Sequence, residues 1–195
     1  MVVNGGNEPG PQAGGAVYTR WGRTVCPQGA TLVYAGRAAG TKYNVKGGTS
    51  DTLCMPETPQ YLSTDTTVTG VAPLRGVEFE IFGTSSTPFK NLLDSNMPCA
   101  VCHTDTKLSV LTVPAQYTCP NGWSMEYNGY LMTEGEYSDR QRKNTLCVDK
   151  DAEAVPGRQA STNPSLVYLM KATCDGLPCP PYNTDMALPC AVCSK

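Results

Sequence analysis

The chain has little charge and almost no imbalance in it. Of its 195 residues 16% are charged, and 15 Lys and Arg stand against 17 Asp and Glu. Neither half concentrates one sign, so no electrostatic footprint for nucleic acid or an anionic membrane is present. No apolar stretch approaches the ~18 to 20 residues that cross a bilayer as a helix, so no membrane span is expected. Helical periodicity over 11 or more residues is also missing. No basic region followed by an apolar run opens the sequence, so Met1 reads as the start of a mature segment. Histidine occurs once, at His103 beside Cys102. Cysteine–histidine catalysis would need a free thiol, and adjacent strand residues point to opposite faces, so no enzyme activity and no catalytic residue is expected.

What is plentiful is cysteine (10), glycine (19) and proline (16). That combination describes a loop-rich, secreted chain stapled by disulfides. The cysteines belong to a duplication. Thr24-Val25-Cys26-Pro27-Gln28-Gly29 returns as Tyr117-Thr118-Cys119-Pro120-Asn121-Gly122, and Tyr34 and Gly36 return as Tyr127 and Gly129. Thr52-Leu53-Cys54 returns as Thr145-Leu146-Cys147 at the same offset of 93 residues. Pro98-Cys99-Ala100-Val101-Cys102 and Pro189-Cys190-Ala191-Val192-Cys193 close the two copies. Because the most faithful repeats are residues that set backbone geometry, the duplication describes a scaffold rather than a reaction centre.

Three stretches follow from this: a Gly/Pro-rich leader over 1–16, a first repeat over 17–106 and a second over 107–195, the two repeats packed as one compact unit. Gly10-Pro11-Gln12 is a single collagen-like triplet whose glycine period fails on both sides, so it forms no triple helix here. Beyond the leader the pattern is for strands. Val77, Phe79 and Ile81 alternate with Glu78 and Glu80, and Trp123, Met125 and Tyr127 alternate with Ser124, Glu126 and Asn128. The inward set of the first copy is then Ala30, Leu32 and Tyr34; further strands are expected around Val110–Val113 and Leu166–Met170. Glycines 29, 36, 122 and 129 are assigned to turns, and Trp123 and Tyr127 to the core.

Sharper chemistry has a footing at four places. Two Cys-Ala-Val-Cys motifs have the local spacing of zinc knuckles, but 87 residues separate Cys102 from Cys190, so disulfides are preferred and no metal or cofactor is expected. Asp149, Asp151 and Glu153 alternate as calcium ligands do, yet lack the glycine and ligand count of a calcium loop. Arg20, Trp21, Arg23 and Arg37 form a candidate ligand-binding set for an anionic glycan, against an ordering role in the fold. Asn163-Pro164-Ser165 carries the proline that blocks N-glycosylation.

Ten cysteines allow hundreds of complete pairings, and sequence does not choose among them. The duplication implies that Cys26, Cys54, Cys99 and Cys102 pair among themselves as Cys119, Cys147, Cys190 and Cys193 do, leaving Cys174 and Cys179 to pair locally. The order Cys-Pro-x-Gly, a lone Cys after Thr-Leu, and a closing Cys-Ala-Val-Cys, all twice, resembles the carboxy-terminal non-collagenous domain of type IV collagen. With its Val17-to-Arg23 entry, it resembles even more the corresponding domain of invertebrate short-chain (spongin-type) collagens. The resemblance covers nearly everything after Ala16. It implies the pairs Cys26–Cys102, Cys54–Cys99, Cys119–Cys193, Cys147–Cys190 and Cys174–Cys179. It implies a mostly β fold built as a tandem pseudo-repeat of two disulfide-stapled β subdomains, like that of type IV collagen's non-collagenous domain. It further implies an extracellular-matrix module that sets chain register as a homotrimer, with matrix proteins or glycans as further partners. The alternative is a secreted glycan-binding, lectin-like or innate-immune recognition protein on the same scaffold.

Overall fold

The computed structural model describes residues 14–62, 71–157 and 161–195. Most of the leader, including the Gly10-Pro11-Gln12 triplet, lies outside the described residues. Among those described, the chain is mostly β and contains no α-helix. Its strands are β1 (Ala16–Trp21), β2 (Ala30–Gly40), β3 (Leu53–Pro56), β4 (Arg75–Phe79), β5 (Pro98–Thr104), β6 (Val110–Pro114), β7 (Ser124–Thr133), β8 (Leu146–Asp149), β9 (Ser165–Leu169) and β10 (Pro189–Ser194). A single turn of 3-10 helix at Lys90–Leu92 buries Leu92.

The strands run in the order β6-β10-β7-β8-β1-β5-β2-β4-β9, with β3 on the flank of β2. Strand β9 also pairs with β7, so the path from β7 through β8, β1, β5, β2, β4 and β9 returns on itself. Closure removes edges that would otherwise be open.

The ladders recur with the same registers. Gly36 faces Cys99 across β2·β5, and Gly129 faces Cys190 across β7·β10. Gly36 faces Pro56 across β2·β3, and Gly129 faces Asp149 across β7·β8. Trp21 faces Cys99 across β1·β5, and Pro114 faces Cys190 across β6·β10. Even the irregularity repeats: β2 bulges between Leu32 and Tyr34, and the β7·β10 ladder shifts between Met125 and Tyr127. Two contacts join strands from opposite halves of the sequence, both parallel: β4 with β9, and β1 with β8 through Trp21 and Val148.

All ten cysteines are paired: Cys26–Cys102, Cys54–Cys99, Cys119–Cys193, Cys147–Cys190 and Cys174–Cys179. These are the pairs the resemblance implies. The first four close long loops, each of which stabilises by roughly 4 kcal/mol on the chain-entropy model. The apolar core has two parts. One gathers Val77, Phe79, Ile81, Met97, Met132 and Val148 around the β4·β9 region; the other packs Tyr18, Tyr127, Leu131 and Val192 with four cysteines.

Several expectations need correction. Gly29 and Gly122 do sit at turns with positive φ, but Gly36 and Gly129 lie inside β2 and β7. They are glycines because a Cβ there would meet the neighbouring backbone, 1.9 Å from Met55 O and 1.7 Å from Val148 O. Trp123 is half-buried outside the core, and Met125, Leu32 and Tyr34 are exposed, so of the expected inward sets only Tyr127 is buried and Ala30 packs partly against the core. The bulge interrupts the period-two pattern on both strands. Glu78, expected on the outer face of β4, is buried and accepts a hydrogen bond from Thr162 Oγ1 at 2.8 Å, because β9 and its preceding segment cover that face.

Candidate functional site

The chemistry of the chain concentrates where β1 meets β8, the inner junction. Tyr18 and Arg20 project from one face of β1. The Nε and Nη2 atoms of Arg20 each lie 2.7 Å from Asp149 Oδ2, and both side chains are largely out of water. The Tyr18 hydroxyl donates to Glu126 Oε2 at 2.7 Å, while Ser194 Oγ bonds the other oxygen of that carboxylate. The Tyr127 hydroxyl lies 2.9 Å from Cys147 O and 3.1 Å from Thr19 O, bridging two strands. Burial, aided by the Glu126 carboxylate, pushes the Tyr18 phenol well above its ordinary range; burial does the same to Tyr127. Past the end of β1, Glu153 N donates to Gly22 O, Arg23 Nη1 to Asp151 O, and Val155 N to Asn96 O. Residues 151–155 are thus bonded to the segment after β1 and to Asn96.

The candidate ligand set is placed by this junction and is not one site. Arg20 is committed to Asp149, Arg23 to Asp151 O, and Trp21 packs against the core beside them. Arg37 stands apart on β2 and pairs with exposed Glu57 at 3.0 Å. The Asp149–Glu153 acidic run is consumed in the same way: Asp149 by Arg20, Asp151 by Lys150 at 2.6 Å, and Glu153 by Thr24. The bond to Asp151 raises the pKa of the exposed Lys150 amine. Among the described residues no cluster has the makings of a metal site. His103 is partly exposed and sits 3.1 Å from Asp105.

A second polar cluster seals the other seam between the copies. Arg140 lies against the rings of Tyr43, Tyr137 and Tyr168, at 4.2, 4.9 and 5.9 Å from their centroids. Lys143 is buried beneath it, held by Glu134 at 2.5 Å and Leu166 O at 2.9 Å. Burial draws the Lys143 amine below its usual range despite Glu134, raises Tyr168 to about 12, and, with Asp94 and Glu78 nearby, raises Glu80. Periodicity could not reveal this cluster, because its members come from loops and strands of both copies.

What the inner junction covers in one copy, the other leaves bare. Tyr127 is 5% exposed and its counterpart Tyr34 is 37%; Leu146 is 2% exposed and Leu53 is 41%; Val148 is fully buried and Met55 is 37% exposed. On the facing strand, Tyr18 is 7% exposed and Leu111 is 40%. Further along, Val155 is 6% exposed and Leu62 wholly so. The Tyr34 hydroxyl keeps the bond to Cys54 O that Tyr127 makes to Cys147 O, but not the second contact to a facing strand. Among the described residues the outer edges of β3 and β6 have no strand partner. The sequence pattern puts Tyr34 and Tyr127 alike on the inner face of a strand; that Tyr34 lacks the cover Tyr127 has was not legible in it.

A groove of about 560 Å³ is lined by Phe82, Tyr130, Leu169, Lys171, Asp185 and Met186 among others. No family model matches the chain.

Proposed function

We propose that the chain is a disulfide-locked assembly module of the extracellular matrix, a tandem pseudo-repeat of two β subdomains resembling the terminal non-collagenous domain of short-chain collagens. It joins copies of itself by pairing the outer edge of β6 on one chain with that of β3 on the next. The observation that carries this reading is the mismatch in burial between equivalent positions. Tyr34, Leu53 and Met55 occupy the places of Tyr127, Leu146 and Val148, which are buried against β1 and the core beside it. Strand β6 occupies the place of β1, and its Leu111 is uncovered too. One operation that repeats the inner junction therefore brings both bare faces together between chains.

Such a contact is head-to-tail, so it continues from chain to chain until the rotation closes a ring. The resemblance implies closure at three. Exposed edge strands with apolar side chains invite unplanned pairing, and a ring removes that hazard. Leu62 and Leu74, both exposed, stand where Val155 and Val167 are buried by the other copy, and support the same operation. The disulfides and the low charge fit a secreted setting. The glycan-binding alternative draws no comparable support, since three of its four candidate residues are spent within the fold.

Light scattering on the non-reduced protein over a wide concentration range tests the proposal. A stable mass near three chains is expected. A single chain at every concentration would sink it.

A further inference from the structure

The inner and outer junctions share a register but not a chemistry. Position by position, 93 residues apart, two polar side-chain pairs that β1 makes, one to β8 and one to β7, fall where the corresponding pairs of β6 with β3 and β2 of the next chain are apolar; the pair Trp21 with Val148 is apolar at both junctions. Arg20 with Asp149 corresponds to Val113 with Pro56. Tyr18 with Glu126 corresponds to Leu111 with Val33. Ser194, which completes the Glu126 site, stands one strand over in the place of His103.

We infer that these two polar pairs are specificity determinants that keep the inner and outer edges from being exchanged, so that a second copy of this chain docks only through β6 to β3. The inference rests on the assembly reading above. A wrong pairing of β1 with a neighbour's β3 sets Arg20 against Pro56 and the Tyr18 hydroxyl against Val33. That buries the phenol with nothing to bond and leaves the guanidinium without its carboxylate, holding only the Nη1 bond to Val25 O at 2.9 Å. The other wrong pairing, β6 with a neighbour's β8, sets Asp149 against Val113 and Glu126 against Leu111. Asp149 then loses the Arg20 cation, and Glu126 loses the Tyr18 hydroxyl while keeping Ser194 Oγ and Lys107 at 3.7 Å. Buried charges without partners are among the most unfavourable contacts a protein interface can make, so both errors are rejected by the charge left over rather than by shape.

The hazard being avoided is physical. Domains fold as units, the amino-terminal one first during synthesis. Until the second copy has folded, β1 of one chain and β3 of another are both open edges of matching register. Apolar side chains at positions 18 and 20 would let first copies pair with each other through β1 and β3. The pair of charges makes β1 wait for its own β8.

Refolding from reduced, denatured chains at several concentrations, followed by light scattering on the oxidised products, tests this. The wild type is expected to give one discrete assembled mass besides any free chain. The variant Arg20→Val with Asp149→Ala, apolar at the inner junction as the outer one is, is expected to lose that single peak to a ladder of masses that lengthens with concentration. The same single mass as wild type overturns the inference and leaves the assembly reading standing. If that variant yields no soluble oxidised protein, Val113→Arg with Pro56→Asp answers the same question, since it leaves the inner junction intact and makes the outer one ionic like it. A ladder is expected there as well, and one discrete mass overturns the inference. A wild type that stays a single chain at all concentrations overturns the assembly reading and this inference with it.

Discussion

Val113→Arg is the most direct perturbation of the proposed edge. Val113 occupies the place of Arg20, but the residue opposite in the next chain, Pro56, offers no carboxylate where Asp149 would stand. Within one chain Val113 is only half-buried and its backbone pairs with Ala191 of β10, so an arginine there can reach water and the chain should fold and melt much as wild type. Between chains the guanidinium has to be desolvated without a partner. Leaving one member of a buried pair alone costs about 3–5 kcal/mol, which is a loss of roughly two to three and a half orders of magnitude in the association constant. Sedimentation or light scattering at concentrations where wild type is fully assembled should then report single chains. Adding Pro56→Asp rebuilds the Arg20–Asp149 arrangement across the outer edge and should raise the molar mass above one chain again. If Val113→Arg assembles as wild type does, or if the double variant fails to recover while remaining folded, the register argument is wrong.

Gly129→Ala places a Cβ 1.7 Å from Val148 O and should force β7 and β8 apart, read as a large loss in thermal stability, whereas Gly29→Ala, with open space around it, should cost only the strain of its positive φ. Lys143→Met takes from buried Glu134 its direct bond, leaving Arg140 at 3.8 Å, and should destabilise by about 3 kcal/mol in chemical denaturation, while Lys143→Met with Glu134→Leu should recover most of it. Replacing both Cys174 and Cys179 by serine should cost about 2 kcal/mol, against roughly 4 kcal/mol for removing the Cys54–Cys99 link, because the entropy lost grows with the loop closed. Glu80→Gln should stabilise at neutral pH. Its carboxyl is held above the ordinary range, so the stability tied to the protonated form is present below that range and lost as pH rises through the raised value; the gain of the variant over wild type should vanish in acid melts.

The duplication, the strand-rich character and the positions of the turns at Gly29 and Gly122 were legible because they are local: each is a residue type with a fixed backbone consequence repeated at a fixed offset. The ten cysteines were equally legible as a framework, since a chain this poor in charge and rich in glycine and proline has few other uses for them. Which cysteine meets which came from the family likeness; spacing alone left the partners open. Beyond that, sequence reasoning ran out wherever a residue's surroundings come from the other copy. Glu78 alternates as an outward residue and is buried, because β9 and the segment before it, with Thr162 84 residues away, arrive beside it. Gly36 and Gly129 look like turn glycines, and only the strand lying 1.7 to 1.9 Å from a would-be Cβ explains them. Tyr34 and Tyr127 are the same residue in the same local pattern, yet one is bare and the other buried. Sequence determines what a strand offers on each face; only the tertiary structure decides whether another strand is there to take it. Here β1 covers one of two equivalent faces and nothing in the described chain covers the other.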